Sequence, residues 1–330
     1  MFARKTRISK PAARRARALV ASVTGSALVL SFSLTGPASA SVPLHCGADP
    51  HICGFPDATN TGVPPGTKLL TVPGQVSSGP GWSYSASAQA VHVTGNGAVL
   101  SGLNIPYVVS ITASNVTIKD DQIVTGGAYA VALRHTSGVT VEDDAISGLN
   151  TGSGRVNAAV ADLYGDSTGM VIEDNNISMF RCGVQVSSGL VAGNYIHDPG
   201  YIPGDHTNGI IAKGGAKPLM IYHNTILIDL SQTDAVTIDD LSSSPVANKT
   251  IEDNLLAGGG YPIYGGAAFG AVTSNIRVED NRFAQVYYRR GGQFGPVAYF
   301  DPRGKGNIWS GNTWLASGRT VMVPDRPARP

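Results

Sequence analysis

The sequence predicts an all-β solenoid of about nine stacked coils, and two observations carry that prediction. The first is an eight-residue pattern that returns nine times: AVLSGLNI at 98, VTIKDDQI at 116, VTVEDDAI at 139, MVIEDNNI at 170, GLVAGNYI at 189, LMIYHNTI at 219, KTIEDNLL at 249, IRVEDNRF at 276 and NIWSGNTW at 307. Its third and eighth places are nearly always aliphatic or aromatic, and its sixth reads Leu103, Asp121, Asp144, Asn175, Asn194, Asn224, Asn254, Asn281 and Asn312. The second is the spacing, 209/8 or about 26 residues. A unit of that size cannot bury an apolar face alone, and no helical periodicity is long enough for a helical or leucine-rich array. Strand-sized runs punctuated by Gly, Asn, Asp and Ser therefore read as coils that bury one another. The sixth-place residues are expected at one corner of successive coils, in left-handed backbone geometry and hydrogen-bonded to the coils on either side.

From the N-terminus, residues 1–40 carry Arg4, Lys5, Arg7, Lys10, Arg14, Arg15 and Arg17 with no acid, then an apolar stretch from Ala18 to Leu34 and the small residues Pro37-Ala38-Ser39-Ala40. This is the pattern of a cleaved export signal. The full chain holds 24 Lys+Arg against 23 Asp+Glu; removing those seven cations leaves 17 against 23, or −6. An acidic mature protein without basic clusters has no footprint for nucleic acid. With 14% charged residues and 42% hydrophobic ones it is neither disordered nor polytopic, so no membrane partner is expected once the signal is removed.

Cys46 and Cys53 follow in a Gly- and Pro-containing stretch. In an exported protein a local disulfide is expected; a metal site of Cys46, Cys53, His45 and His51 is the alternative. Cys182 lies in an apolar run and reads as a small core residue. Residues 41–97 are expected to form an N-terminal cap and first coil, 98–316 the solenoid, and the Pro- and Arg-rich residues 317–330 a tail.

Each repeat is followed by a connector and a second short strand, seen in YAVALRH at 129, AAVADLYG at 158, CGVQVSSG at 182, NGIIAKGG at 208 and DAVTIDDL at 234. Strand side chains alternate. If Val131, Leu133, Val184, Val186, Ile210, Ala212, Val236 and Ile238 point inward, one outward column reads Arg134, Tyr164, Ser187, Lys213 and Asp239, and a parallel one Ala132, Asp162, Gln185, Ile211 and Thr237. Coils in register lie about 4.8 Å apart, so Lys213 is expected beside Asp239. Three long connectors, 147–157, 197–207 and 284–295, enter on one edge and are expected to stand as walls. They carry Arg155; Tyr201, Asp205 and His206; and Tyr287, Tyr288, Arg289 and Arg290. Aromatic rings stack on sugar faces and arginines pair with carboxylates.

The repeat VxIxDNxI, GFPDATNTGVPPGT at 54–67 and DNLLAGGGYPIYGG at 253–266 together resemble the secreted right-handed parallel β-helix proteins of actinobacteria, in the pectate-lyase-like superfamily. The resemblance covers about residues 55–315 and implies a single-stranded right-handed parallel β-helix. Asp205-His206-Thr207-Asn208-Gly209-Ile210 resembles the HxDGI-type turn of these proteins, with Asn208 where Asp is usual.

That superfamily includes lyases, hydrolases and proteins without a known reaction, so the chemistry has to come from residues. The leading expectation is a polysaccharide lyase acting on a uronate-containing glycan by β-elimination. Lys213 would be the base, with Asp239, His206 and Asp205 beside it, and Arg134, Arg289 and Arg290 would hold the carboxylate. Asp205, Asp234 and Asp239 would offer oxygen ligands to Ca²⁺. Tyr164, Asp162, Gln185, Asn208, Tyr201, Tyr287 and Tyr288 complete the expected glycan contacts. A glycoside hydrolase using Asp239 with Asp205 or Asp162 and a non-catalytic glycan- or wall-binding protein stay open beside it.

Overall fold

The structure is a computed structural model that describes residues 46, 49–149, 154–232, 234–239 and 245–323; the expected export signal, residues 1–40, and the last residues of the expected tail lie outside them. Apart from two short 3-10 turns, the described elements are strands. They build three sheets of nine, ten and eleven strands, named here I, II and III in the order each coil visits them. Sheet I holds the first half of each repeat, such as Thr117–Lys119 and Thr140–Glu142. Sheet II holds the second half, such as Gln122–Val124 and Ala145–Ser147. Sheet III holds the strands after the connectors, among them Tyr129–Leu133, Val156–Asp162, Phe180–Val186, Asn208–Lys213 and Asp234–Asp239. Neighbouring coils pair in parallel throughout, with two antiparallel pairings, of Ser78–Gly79 with Trp82–Ser85 and of Trp82–Ser85 with Ala90–Val93, at the start of sheet III. The chain is a parallel β-helix, right-handed as such crossovers are, and the nine strands of sheet I match the nine repeats.

The third-place residues Ile118, Val141, Ile172, Val191, Ile221, Ile251 and Val278 and the eighth-place Ile123, Ile146, Ile177, Ile196, Ile226, Leu256 and Phe283 are all buried in one continuous core. Each such side chain contributes roughly 1.5–3 kcal/mol on leaving water, which is the driving force for stacking.

The corner between sheets I and II divides its work between two residues. Left-handed backbone falls on the fifth place, at Gly102, Asp120, Asp143, Asp174, Gly193, His223, Asp253, Asp280 and Gly311, one residue earlier than the sequence suggests. The sixth place carries the hydrogen-bond ladder. Asn224 receives the Asn194 N–H on its Oδ1 (3.0 Å), and its own Nδ2 donates to Val191 O (2.9 Å), Tyr222 O (3.1 Å) and Asn254 Oδ1 (2.9 Å). The same pattern runs from Asn175 to Asn312 with every member fully buried. A polar column inside the core is tolerated because its amides are bonded at each rung.

Residues 46 and 49–66 lie along the outside of sheet II. Cys46 and Cys53 are joined, so the thiols expected of a metal site are spent. Phe55 packs with Leu227, Leu255, Ala257 and Leu315, Gly62 N–H donates to Asp174 O (2.8 Å), and Leu70 and Thr71 then pair with Leu103 and Asn104.

Candidate functional site

The strands of sheet III bend where two successive residues face the core: Ala130 and Val131, Ala159 and Val160, Ala235 and Val236 are all buried in it. At the equivalent Gly209 a Cβ would fall 2.3 Å from Ile226 Cγ2 and 2.5 Å from Ala235 O, so only glycine fits. The bend turns the flanking residues outward into two rows. Ala158, Cys182, Asn208 and Asp234 are in register, as are Ala161, Gln185, Ile211, Thr237 and Tyr264. Ala158, Ala161, Cys182 and Ile211 form an apolar cluster of their own with Tyr129 and Leu163.

A polar chain crosses this outer floor. The Cys182 thiol approaches Asn208 Oδ1 (3.8 Å), Asn208 Nδ2 donates to Asp234 Oδ1 (3.0 Å), and the Thr237 hydroxyl donates to Asp234 Oδ2. Burial pushes the Cys182 thiol up to about 11, so it stays protonated and is no nucleophile at neutral pH. Tyr264 follows Thr237 one coil on. Burial, then Asp234 and the flanking tyrosines, push its hydroxyl above the usual range, keeping it a donor. Tyr261 stands edge-on to Tyr264 (5.5 Å between ring centres, 88°), with Tyr299 against Tyr264 (5.5 Å) and Phe294 against Tyr261 (5.8 Å).

The connectors form a wall at the start of these strands. Arg155 grips Asp205 with two parallel bonds, Nε to Oδ2 and Nη2 to Oδ1, both 2.5 Å, while Nη1 donates to Asn157 Oδ1 (2.5 Å) and Ile202 N–H to Asp205 Oδ2 (2.9 Å). Burial acts to raise the Asp205 carboxyl, yet the bonds from Arg155 and Ile202 outweigh it and hold the group below the usual range. Tyr201 and His206 are exposed on this connector. On the third, Tyr288 donates to Asp229 O (3.0 Å), burial and Asp229 push the Tyr287 hydroxyl up to about 12, and Arg289 and Arg290 are exposed.

The opposite end of the strands is a separate place. Lys213 is in register with Asp239, whose side chain lies outside the described residues. The Lys213 ammonium donates to Asp162 O (2.7 Å) and Leu163 O (3.4 Å). Arg134 donates to Ser110 Oγ (3.3 Å) and Tyr164 Oη (3.4 Å), and His135 stacks on Tyr164 (4.3 Å). Asn208 and Lys213 are five residues apart on one strand, about 16 Å, so Arg155 with Asp205 and Asn208 with Asp234 meet at the entry end, away from Lys213, Arg134 and Tyr164, while Gln185, in register with Ile211, lies between the two ends.

Asp162 needs a correction. It pairs with Leu133 instead of Ala132, which moves it from the outward row to the inward one, fully buried. There it caps the following turn, accepting Gly165 N–H (3.1 Å) and the Ser187 hydroxyl (3.1 Å). It contacts no groove. The sequence reading missed Tyr261, Tyr264, Phe294 and Tyr299, although Tyr261 and Tyr264 sit within the YPIYGG run that carried part of the resemblance.

For a metal, the expected Asp205, Asp234 and Asp239 do not converge: Arg155 occupies Asp205, Asn208 and Thr237 occupy Asp234, and Asp239 lies five residues further along the strand. Among the described residues no three His, Cys, Asp or Glu side chains are placed to share an ion, and no helix is long and apolar enough to cross a membrane.

Residues 87–315 match the family model described as periplasmic copper-binding protein (NosD). No curated protein and no solved structure matches the chain. Because the matched segment spans more than half of the 330 residues and the fold is the parallel β-helix its repeats require, the chain belongs to the periplasmic copper-binding protein (NosD) family.

Proposed function

We propose that this is an exported protein that binds a glycan chain along the outer face of sheet III. The observation that carries it is the outward row Gln185, Ile211, Thr237 and Tyr264 on successive coils. It supplies an amide, a hydroxyl and an aromatic platform at about 4.8 Å intervals, beside a bonded wall. Neutral donors and acceptors over an apolar floor suit sugar hydroxyls, and rings suit their C–H faces. The periplasmic description of the family supports export.

Elimination of a uronate chain is the narrower reading, with Lys213 as base and Asp239 beside it. What weighs against it is that the Lys213 ammonium is spent on two carbonyl acceptors, about 16 Å along the strand from Asn208 at the wall. The paired-aspartate hydrolase loses Asp162 to the interior and Asp205 to Arg155. Copper, which the family description names, prefers converging imidazole, thiolate and thioether ligands. Here His51, His135, His197 and His223 each face a single aspartate, Cys46 and Cys53 are joined, and the Cys182 thiol is buried and protonated. These residues do not fit a copper centre, and no step is derived through one.

The test titrates mature protein against uronate-containing and neutral polysaccharides, with and without chelator, following binding, absorbance of unsaturated products and new reducing ends. The expected result is binding without product, weakened about tenfold in Tyr264→Ala, since the ring is the largest apolar surface the row offers and aromatic side chains dominate interface energetics, and unchanged in Lys213→Ala. Absorbance that appears with wild type and vanishes with Lys213→Ala would establish elimination instead; failure to bind any glycan would overturn the proposal.

A further inference from the structure

A second concavity lies on the outside of sheet I, away from the groove. The outward second places of the repeats read Val171, Leu190, Met220, Thr250 and Arg277 on successive coils. Around Met220 a cavity of about 630 Å³ opens, lined by Lys217, Met220, Asn248, Thr250, Asn275 and Arg277 among others, with Gly169 and Gly189 leaving its upper floor bare. Its lining contains two cations and no acid.

One residue behind its wall breaks the repeat. The first place holds the buried Val116, Val139, Met170, Leu219 and Ile276 on other coils, but Lys249 here, also with no exposure. Its ammonium donates to Ser187 O (2.8 Å) and Lys217 O (2.7 Å), the backbone beside the lining residues Ser188 and Lys217. Two carbonyls meet two of its three N–H bonds, and among the described residues no carboxylate bonds to it. Burial, then Lys217, bring its pKa down to about 8. A cation inside an apolar core is costly without an opposite charge, and the carboxylates around it are engaged elsewhere: the fully buried Asp162 accepts the Ser187 hydroxyl (3.1 Å) and Gly165 N–H (3.1 Å). Glu279 is held by Arg277 at 2.6 Å, Asp166 is held by His135 at 2.5 Å, and Lys217 donates to Gly165 O (3.2 Å) and Asp166 O (3.0 Å).

We propose that this cavity binds a small molecule bearing an oxyanion, carboxylate or phosphate, seated between Lys217 and Arg277 in front of the buried Lys249, with Asn248, Asn275 and Thr250 donating to its polar groups. The volume falls in the range of small-ligand sites, roughly 300–1,000 Å³, and suits a single sugar acid or phosphate ester over Met220. An anion there favours the charged form of Lys249, so binding near pH 8 takes up part of a proton.

The experiment is calorimetric titration of the mature protein at pH 8 with glucuronate, inorganic phosphate and glucose, each in two buffers of different ionisation enthalpy. The expected result is binding of at least one anion, none of glucose, and a fractional proton uptake. The two anion arms decide between a carboxylate and a phosphate source. Arg277→Gln should weaken binding about tenfold. Lys249→Met, whose side chain matches Met170 and Leu219 at equivalent places, should abolish the proton uptake, and Tyr264→Ala should change neither, which separates this site from the groove. Glucose binding as well as the anions, no anion binding, or indifference to Arg277→Gln would each overturn the proposal; uptake unchanged in Lys249→Met would remove the lysine from it.

Discussion

Replacing Asp121 and Asp144 together by asparagine will raise the melting temperature at pH 7 and leave it nearly unchanged at pH 4. Both sit in the buried ladder where later coils carry asparagine, and both are fully buried. Each still accepts with Oδ1, from Leu103 N–H and Asp121 N–H respectively (2.7 Å in both), but each Oδ2 occupies the position of a donating amide and has no partner. Burial pushes Asp121 up to about 7, with Asp120 adding to it; burial, then Asp121, Asp120 and Asp143, push Asp144 well above the usual range. Lys119 sits beside Asp120, outside the ladder.

A carboxyl whose folded pKa is raised stays protonated while the unfolded chain ionises from about pH 4. Stability is thus full below that pH, falls as pH rises toward the folded values and then levels off. At about 1.4 kcal/mol per unit, Asp121 alone costs a few kcal/mol at neutrality. Asparagine removes this titration and adds the missing donor, so the double variant should gain at least about 2 kcal/mol at pH 7, on the order of 5 °C for a chain of this size. The reciprocal change Asn224→Asp puts an orphaned carboxyl in mid-ladder and should cost a similar amount. Thermal melts across pH 4–8 check both, and parallel pH profiles for wild type and double variant would refute the argument.

The solenoid was legible because its forces repeat: aliphatic third and eighth places and a polar sixth place return on every coil, so one misread coil cannot change the architecture. The corner was misassigned by one residue because Asp and Asn suit both left-handed backbone and ladder hydrogen bonding, and DN or DD pairs put candidates for both roles side by side. In Asp120-Asp121 the first takes the backbone strain and the second the ladder. Asp162 was misplaced for the same kind of reason, since a one-residue slip exchanges the faces of a strand and AAVAD offers small residues that tolerate either register.

The groove was half legible. Asn208 and Asp234 align in sequence and meet in space, while Arg155 and Asp205 are 50 residues apart and meet through loops whose course no periodicity dictates. Lys213 failed differently: its register beside Asp239 was readable, but a long flexible stem let its ammonium reach the carbonyls of Asp162 and Leu163. Lys249 was visible as the one cation in a first place that is otherwise apolar apart from Gly189 and, on the last coil, Asn307, a break in pattern of the kind expected at functional positions.

Arg155→Ala will lower the melting temperature by about 10 °C at pH 7 and weaken binding in the groove, with both effects fading in acid. Both partners are about 10% exposed (11% and 10%), so removing the guanidinium strands a buried carboxylate, a change that costs about 3–5 kcal/mol. Asp205 is held below the usual range by bonds from Arg155 and Ile202 that overcome its burial. Its contribution is therefore present above the unfolded pKa of about 4 and is lost as pH falls through the depressed folded value, so wild type and Arg155→Ala should converge only once the pH is below that value. Arg155→Lys keeps the charge but loses the planar fork and should fall between the two. Asp205→Ala should cost less in the Arg155→Ala background than alone, because the stranded charge is then gone. If melts show additive losses, or Arg155→Ala is as stable as wild type at pH 7, the pair does not tie the two connectors together. A glycan affinity that survives its removal would in turn show that the groove stands without this wall.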